Sequence, residues 1–321
     1  MSVKTPKPVK KGKEQNRLAP IVKQTDITNP TDPTHPPNCN IYLALPAGTF
    51  ECHSMQRILI MGSTRRAYRC TPTSGNSSSL TANFNQSWTD ALNGRKTPKN
   101  PDGFTHFLML HSDILPKGHW IDKMMDVLAD NKLEVLSVVS PIKDDHGLTS
   151  TGFDTDQFRP RRLCLKETDR LPFIVRNTPE DLAMCEKIIG PPVAPLLINT
   201  GLMLIDLRAP WIESLCFQFR NRIVRLPNGL LFNEFEPEDW MMSRDLHRWG
   251  AKFAFVDGRV VELGHAGSMV MMNTGGWGKF STDTYNIPEA GRTVDVVAGY
   301  GARDYKTPTP SENPGYAGDP P

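Results

Sequence analysis

Apolar residues in the first half of the chain fall into two kinds of segment: short dense runs, and stretches in which they recur every three or four positions. The runs Ile41-Tyr-Leu-Ala-Leu45, Tyr68-Arg-Cys-Thr71, Phe104 to Leu110 and Leu133 to Val139 are short and apolar, which predicts buried strands. Between them, Met55, Ile58, Leu59 and Gly62 mark one helical face over Glu51 to Gly62. Leu80, Phe84, Trp88, Ala91 and Leu92 mark a second, and Trp120, Met124, Val127 and Leu128 a third, over His119 to Asp130. Pro72 to Ser79 and Asn93 to Gly103 are polar and rich in turn residues, which predicts loops. Strand and helix alternate, so the pattern predicts an α/β fold with a mainly parallel sheet covered by helices on both faces.

The second half is less regular. Residues 141–192 mix charges with Pro and Gly and predict loops with short hairpins. Leu-Leu-Ile198, then Asn199-Thr-Gly201, then Leu-Met-Leu-Ile205 form a strong apolar run broken once. Trp211 to Arg225 reads as a helix, and Glu236-Pro237-Glu238-Asp239 opens another that ends before Gly250. Met242, Leu246 and Trp249 give that helix its buried face. Phe253 to Leu263 reads as strand with a turn at Asp257-Gly258, and residues 266–282 as a mobile loop. The expected organisation is a disordered basic leader (1–38), a single folded domain (39–299) and a disordered Pro/Gly-rich tail (300–321).

Charge and composition then remove several classes. Lys and Arg total 37 against 35 Asp and Glu, a balance that argues against a dedicated nucleic-acid binder. The leader, with Lys4, Lys7, Lys10, Lys11, Lys13 and Arg17, leaves a contact with an anionic surface or nucleic acid open. The six cysteines, at 39, 52, 70, 164, 185 and 216, form no Cys-x-x-Cys pair, and the leader has no apolar signal core. Both features predict reduced thiols in a cytoplasmic protein. No apolar stretch is long enough to predict a membrane span. The first strand ends in Pro46-Ala-Gly48-Thr, not in the Gly-x-Gly-x-x-Gly turn of a dinucleotide-binding dehydrogenase. A phosphate-binding Gly-x-x-x-x-Gly-Lys-Ser/Thr loop and a Gly-x-Ser-x-Gly nucleophile elbow are also missing from the sequence.

The chemistry concentrates where the Phe104–Leu110 run stops. His111 and Asp113 follow at once, separated by Ser112, and Pro116 and Gly118 then break the chain. Polar ligands delivered at the carboxyl end of a buried strand are how open α/β sheets build ligand sites. The turn is expected to hold a divalent cation and, through it, the phosphates of an activated donor. Asp113 offers a hard oxygen, or a cap for the local turn; His111 offers a nitrogen, or a turn hydrogen bond. Glu238 and Asp239 lie in the first turn of their helix, where the macrodipole favours a negative charge and is expected to lower the carboxylate pKa. His106 is expected to pack in the sheet.

Taken together, four pieces resemble the nucleotide-sugar-dependent glycosyltransferases of the GT-A fold. Ile41 to Pro46 is similar to the start of the family's nucleotide-binding half. Phe104 to Pro116 resembles the strand that ends in the family's Asp-x-Asp motif. Asn199-Thr-Gly201-Leu-Met-Leu-Ile-Asp206 resembles the strand bordering the acceptor site, and Glu238-Asp239-Trp240 with Arg244 and Gly250 the Glu-Asp helix. The likeness spans about residues 40 to 265, in the family's order. The first motif aspartate is His111 here, so the site reads His-x-Asp. That set resembles the mixed aspartate–histidine metal motif of family 2-like and polypeptide GalNAc-transferase-like enzymes, in which a further histidine comes from near the carboxyl end; His265 stands at that place.

The resemblance implies a hexosyltransferase-type enzyme that moves a sugar from a UDP- or GDP-sugar to an acceptor hydroxyl on a glycan, protein or small molecule. It implies a nucleotide-binding half over 39–140 and an acceptor half over 141–299. It implies Mn²⁺ or another divalent cation held by His111, Asp113 and His265. Donor contacts would come from Pro46, Ala47, Ser112, Asp113 and Lys279. The acceptor site would take Asn199, Gly201 and Trp240, with Asp239 or Glu238 as the base. The alternatives are a nucleotidyltransferase on a similar sheet, and a GT-A-like protein that binds nucleotide sugars without turning them over, which His111 keeps open.

Overall fold

The computed structural model describes residues 39–47, 69–76, 79–142, 147–191, 193–266, 270–272 and 277–278. The helix expected over Glu51 to Gly62, the leader, the tail and Lys279 lie outside these described residues.

β1 (Asn40–Ala47) and β2 (Arg69–Asn76) run parallel and are followed by α1 (Leu80–Asn93). β2 extends through the segment expected as loop. An outermost strand tolerates Pro72, whose missing N–H leaves no central ladder bond unmade. β3 (His106–Leu110) leads through a turn into β4 (Ile114–Pro116), α2 (Trp120–Asp130) and β5 (Val135–Val138). Next come the hairpin β6 (Leu148–Phe153) and β7 (Arg161–Cys164), the short α3 (Leu165–Thr168), β8 (Ile174–Arg176) and α4 (Pro179–Ile189). β9 (Leu196–Leu197) and β10 (Leu202–Asp206) precede the hairpin β11 (Arg220–Arg225) and β12 (Leu231–Glu236). α5 (Glu238–Arg248), β13 (Phe253–Val256), β14 (Leu263–Ala266), β15 (Val270–Met272) and β16 (Trp277–Gly278) complete the described chain.

The central sheet has seven strands in the order β2-β1-β3-β10-β5-β13-β8. It is mixed, not mainly parallel: β1·β2, β1·β3 and β5·β13 are parallel, whereas β10 pairs antiparallel with both β3 and β5, and β8 antiparallel with β13. Alternation along β3 feeds two cores. Phe107 and Met109 pack with Phe84 and Trp88 of α1 on one face. Leu108 and Leu110 pack with Trp120, Met124 and Leu128 of α2 on the other. All five β3 residues are buried, which is why the run reads as continuously apolar.

Three local expectations fail. Residues 179–189 form a helix inside the segment expected as loops and hairpins. Thr178 caps it, its Oγ1 accepting from Asp181 N, with Pro179 in the first turn and Gly190 after its last residue. The helix expected over Trp211 to Arg225 is instead a 3₁₀ turn (Ile212–Ser214) followed by β11. There the turn chemistry of Pro227-Asn228-Gly229 prevails: Gly229 sits at φ +85°, and Leu226 and Leu230 close the hairpin. Within the segment expected as a mobile loop, β15 and β16 extend a small sheet ordered β16-β15-β14-β4.

Candidate functional site

Four expected site segments and the end of β5 share one edge of the central sheet. β1 and β3 are parallel, so Pro46 and Ala47 end at the same edge as His111. β10 runs the other way, so its entry, Asn199 to Gly201, meets them there: Leu202 pairs with Leu110, and the His111 N–H donates to the Gly201 carbonyl at 2.9 Å. β5, also antiparallel to β10, brings Pro141 to this edge. This is the edge at which α/β sheets place ligands.

The fourth expected segment is β14. It pairs antiparallel with β4, and His265 stands opposite Ile114, next to Asp113. The His265 Nε2 lies 3.3 Å from the Asp113 Oδ2. The other ring nitrogen, Nδ1, is 2.6 Å from the Pro141 carbonyl oxygen. A carbonyl oxygen only accepts, so Nδ1 carries the proton and, in the neutral ring, Nε2 presents its lone pair toward the carboxylate. A backbone carbonyl fixing the tautomer of a ligating histidine is the usual outer support of a metal site. Two ligand atoms bound to one ion at about 2.1 Å stand about 3.0–3.4 Å apart, so this N/O pair fits a divalent transition ion. The third expected ligand does not complete it. The His111 ring packs against Phe84, with centroids 5.0 Å apart, and no group of three His, Cys, Asp or Glu side chains among the described residues is arranged to hold a metal. Ser112, like His111 and Asp113, is half-buried.

Asn199 is committed to the protein itself. It is buried; its Nδ2 donates to the Val138 carbonyl at 2.7 Å and to Thr151 Oγ1 at 3.3 Å, and its Oδ1 accepts from Gly201 N at 3.0 Å. Ser137 Oγ donates to the Asn199 carbonyl at 2.7 Å. This clamp ties β5 to the start of β10 and shapes the floor of the edge. A Cβ on Gly201 would lie 3.2 Å from Asn199 Oδ1 and 3.3 Å from an Ile114 methylene, so the position favours the smallest residue.

α5 carries Glu238 and Asp239 in its first turn. It is fastened to the same segment through Ser243, whose hydroxyl accepts from Ile198 N at 3.0 Å and lies 2.7 Å from the Asp239 carbonyl. Ile198 and Gly201 are three residues apart, at most about 10 Å of extended backbone. Arg244 anchors the helix start, gripping Asp154 through Nε and Nη2 and the buried Glu236 through Nη1. Trp240 is buried, and the Arg162 guanidinium stacks over its ring at 4.7 Å while donating to the Thr149 carbonyl at 3.1 Å.

The electrostatics of Asp239 reverse the expectation drawn from the helix dipole. Burial pushes its carboxyl pKa up to about 8, and the neighbouring Glu238 pushes the same way. Arg162 and the Trp240 N–H, which donates to Oδ1 at 2.8 Å, only partly offset this. Glu238 is itself raised by burial. Desolvation outweighs the macrodipole because the dipole's effect is small and local, whereas burying an unpaired carboxylate is costly. Arg162 and the Pro141 carbonyl carry no signal in the sequence; each enters the site only through tertiary contact. His106 packs in the sheet as expected, with Nδ1 2.9 Å from Thr105 Oγ1, and burial lowers its pKa to about 4.

No protein-family model and no curated protein sequence matches this chain. Among solved structures, one described as a UDP-N-acetylglucosamine pyrophosphorylase from Entamoeba histolytica is similar over 70% of this chain and 75% of that chain, with 9% identity and a TM-score of 0.34. A likeness that distant carries no argument about activity. The structure itself establishes an α/β chain with a mixed central sheet; among the described residues no helix is long and apolar enough to cross a membrane.

Proposed function

We infer that this chain is a GT-A-like glycosyltransferase that uses a nucleotide-sugar donor and a divalent cation. The observation that carries the reading is the meeting of Asp113 and His265, 152 residues apart in sequence, with the His265 tautomer set by Pro141. Asp113 and His265 would hold the cation, Mn²⁺ or a similar ion. Bound there, the cation would supply charge neutralisation for the diphosphate as the sugar–phosphate bond breaks. Donor oxygens would complete its coordination, since the described residues supply only the N/O pair.

Pro46, Ala47 and Ser112 would contact the donor, and Gly201 would let the acceptor approach closely. Asp239 accepts the proton of the acceptor hydroxyl as that oxygen bonds to the anomeric carbon and the nucleoside diphosphate departs. A carboxylate raised to about 8 is a stronger base than an ordinary aspartate, and enough of it is ionised near neutrality to act. Glu238 keeps the base pKa high, and Arg162 limits that rise and braces Trp240 beside it. With Asp239 as the base of a single displacement, the acceptor would attack the face opposite the leaving group and the transfer would invert the anomeric carbon.

The two-residue ligand set favours one second reading: a protein of this fold that binds nucleotide sugars without transfer. Incubation with a panel of UDP-, GDP- and CMP-sugars and Mn²⁺, followed by separation of released nucleotide and sugar, distinguishes the two. Release or transfer supports the enzyme. Binding without release supports the second reading, and neither binding nor release counts against both.

A further inference from the structure

The hairpin β11–β12 is unlike the rest of the surface. Its two faces follow from strand alternation. One face carries Arg220, Arg222, Val224, Phe232, Glu234 and Glu236 and meets residues 157–159, with Phe232 still 44% exposed. Arg222 stacks over Phe158 at 4.2 Å, Arg159 over Phe232 at 5.4 Å, and Gln157 donates to Glu236 at 2.9 Å. The opposite face presents Ile223, Leu231 and Phe235 to solvent, continued by Phe219, which packs on Phe235, and by Leu230 at the turn. Their exposures run from 47% for Phe235 to 73% for Ile223. Of the six large apolar side chains exposed over residues 219–235, all but Phe232 belong to this face or continue it, and such a concentration marks an interaction surface.

The charges on the hairpin are unevenly exposed. Arg220 and Arg222 pair with Glu236 and Glu234, yet the arginine side chains are 54% and 55% accessible and their partners 2% and 13%. Arg225 points outward at the tip, with Nη1 on the Gly229 carbonyl, and the outward face bears no carboxylate. The outward face therefore joins its apolar side chains to one guanidinium, Arg225, and to no carboxylate, while on the other face the arginines are exposed and their carboxylates hidden. We propose that β11–β12 is a peripheral membrane contact that seats its apolar face at the headgroup–acyl boundary of an anionic lipid surface.

Two other occupants fit less well. The face offers five exposed apolar side chains, against about 20–30 residues a side in a stable protein–protein interface. A lipid surface sets no such minimum, because each inserted side chain contributes by itself. Nucleic acid would need ring faces for stacking, and the most exposed residues here, Ile223, Leu230 and Leu231, are aliphatic. The proposal does not depend on the transferase reading. It has a consequence for it, since β12 continues through Pro237 into the helix that carries Asp239.

The test is co-sedimentation of the full chain with phosphatidylcholine vesicles and with equal-part phosphatidylcholine–phosphatidylserine vesicles. The wild type is expected to sediment with the anionic vesicles. The variant Ile223→Ser/Leu231→Ser is expected to partition about tenfold or more weakly, with unchanged circular dichroism and thermal midpoint. The basic leader is common to both proteins, so a difference between them reports the hairpin. Equal sedimentation of the two, or none by the wild type, would overturn the proposal. So would retained vesicle binding by a variant that has lost affinity for single-stranded RNA, or a wild-type dimer that this substitution alone dissociates.

Discussion

Asp239→Asn tests the site through stability and activity at once. Burial and the Glu238 charge raise the Asp239 pKa from 3.8 to about 8. Between those values the folded state holds a proton that the unfolded chain has released, so stability falls as pH rises through that window and levels off above about 8. At pH 7 the gap above the unfolded value is about 3 pK units, an upper bound of about 4 kcal/mol. The folded chain relaxes around a buried charge, which reduces the figure to about 2 kcal/mol. Asparagine preserves the oxygen that accepts from the Trp240 N–H and carries no charge, so it removes the cost. Asp239→Asn is therefore expected to be about 2 kcal/mol more stable than the wild type at pH 7 and nearly equal at pH 4, read from urea unfolding midpoints at constant slope. The same substitution should lower turnover by about 10² to 10⁴ while nucleotide binding holds. In the wild type, kcat/KM should rise about tenfold from pH 7 to pH 9 as Asp239 ionises, and Glu238→Gln should move that rise to lower pH. A variant no more stable at pH 7 than at pH 4, relative to wild type, would show that the carboxyl is not held protonated, and the base assignment would fall with it.

Other substitutions probe separate parts. Asp113→Ala removes the oxygen beside His265 and should abolish Mn²⁺-dependent UDP binding in calorimetry without lowering the thermal midpoint; unchanged affinity would move the cation elsewhere. Asn199→Ala strips partners from the Val138 carbonyl and Gly201 N–H, both buried, and should cost about 2–4 kcal/mol in urea unfolding. Arg244→Met leaves Asp154 and the buried Glu236 without their main cation and should cost about 3 kcal/mol, with turnover falling further than nucleotide affinity because α5 carries the base.

What the sequence determined is the part written in local pattern. The Phe104–Leu110 run, buried on both faces, could only be a central strand, and Leu80, Phe84, Trp88 and Ala91 could only be a helix lying on it. Apolar periodicity is local, so β1, α1, β3, α2, β5 and α5 were legible one by one. Their alternation implied the α/β layering but not the strand direction. Only the folded chain decided that β10 enters antiparallel between β3 and β5, because strand direction depends on the path of the connection. In the stretch after Trp211 the Asn-Gly turn set the register and β11 replaced the expected helix. The site divided the same way. Asp113 and Asp239 stood out as carboxylates at element ends, but the pairing of Asp113 with His265 needed the β4–β14 ladder, and the raised pKa of Asp239 needed burial. Coulomb and desolvation energies depend on distance in space and on exclusion of water, and neither quantity is carried by position along the chain.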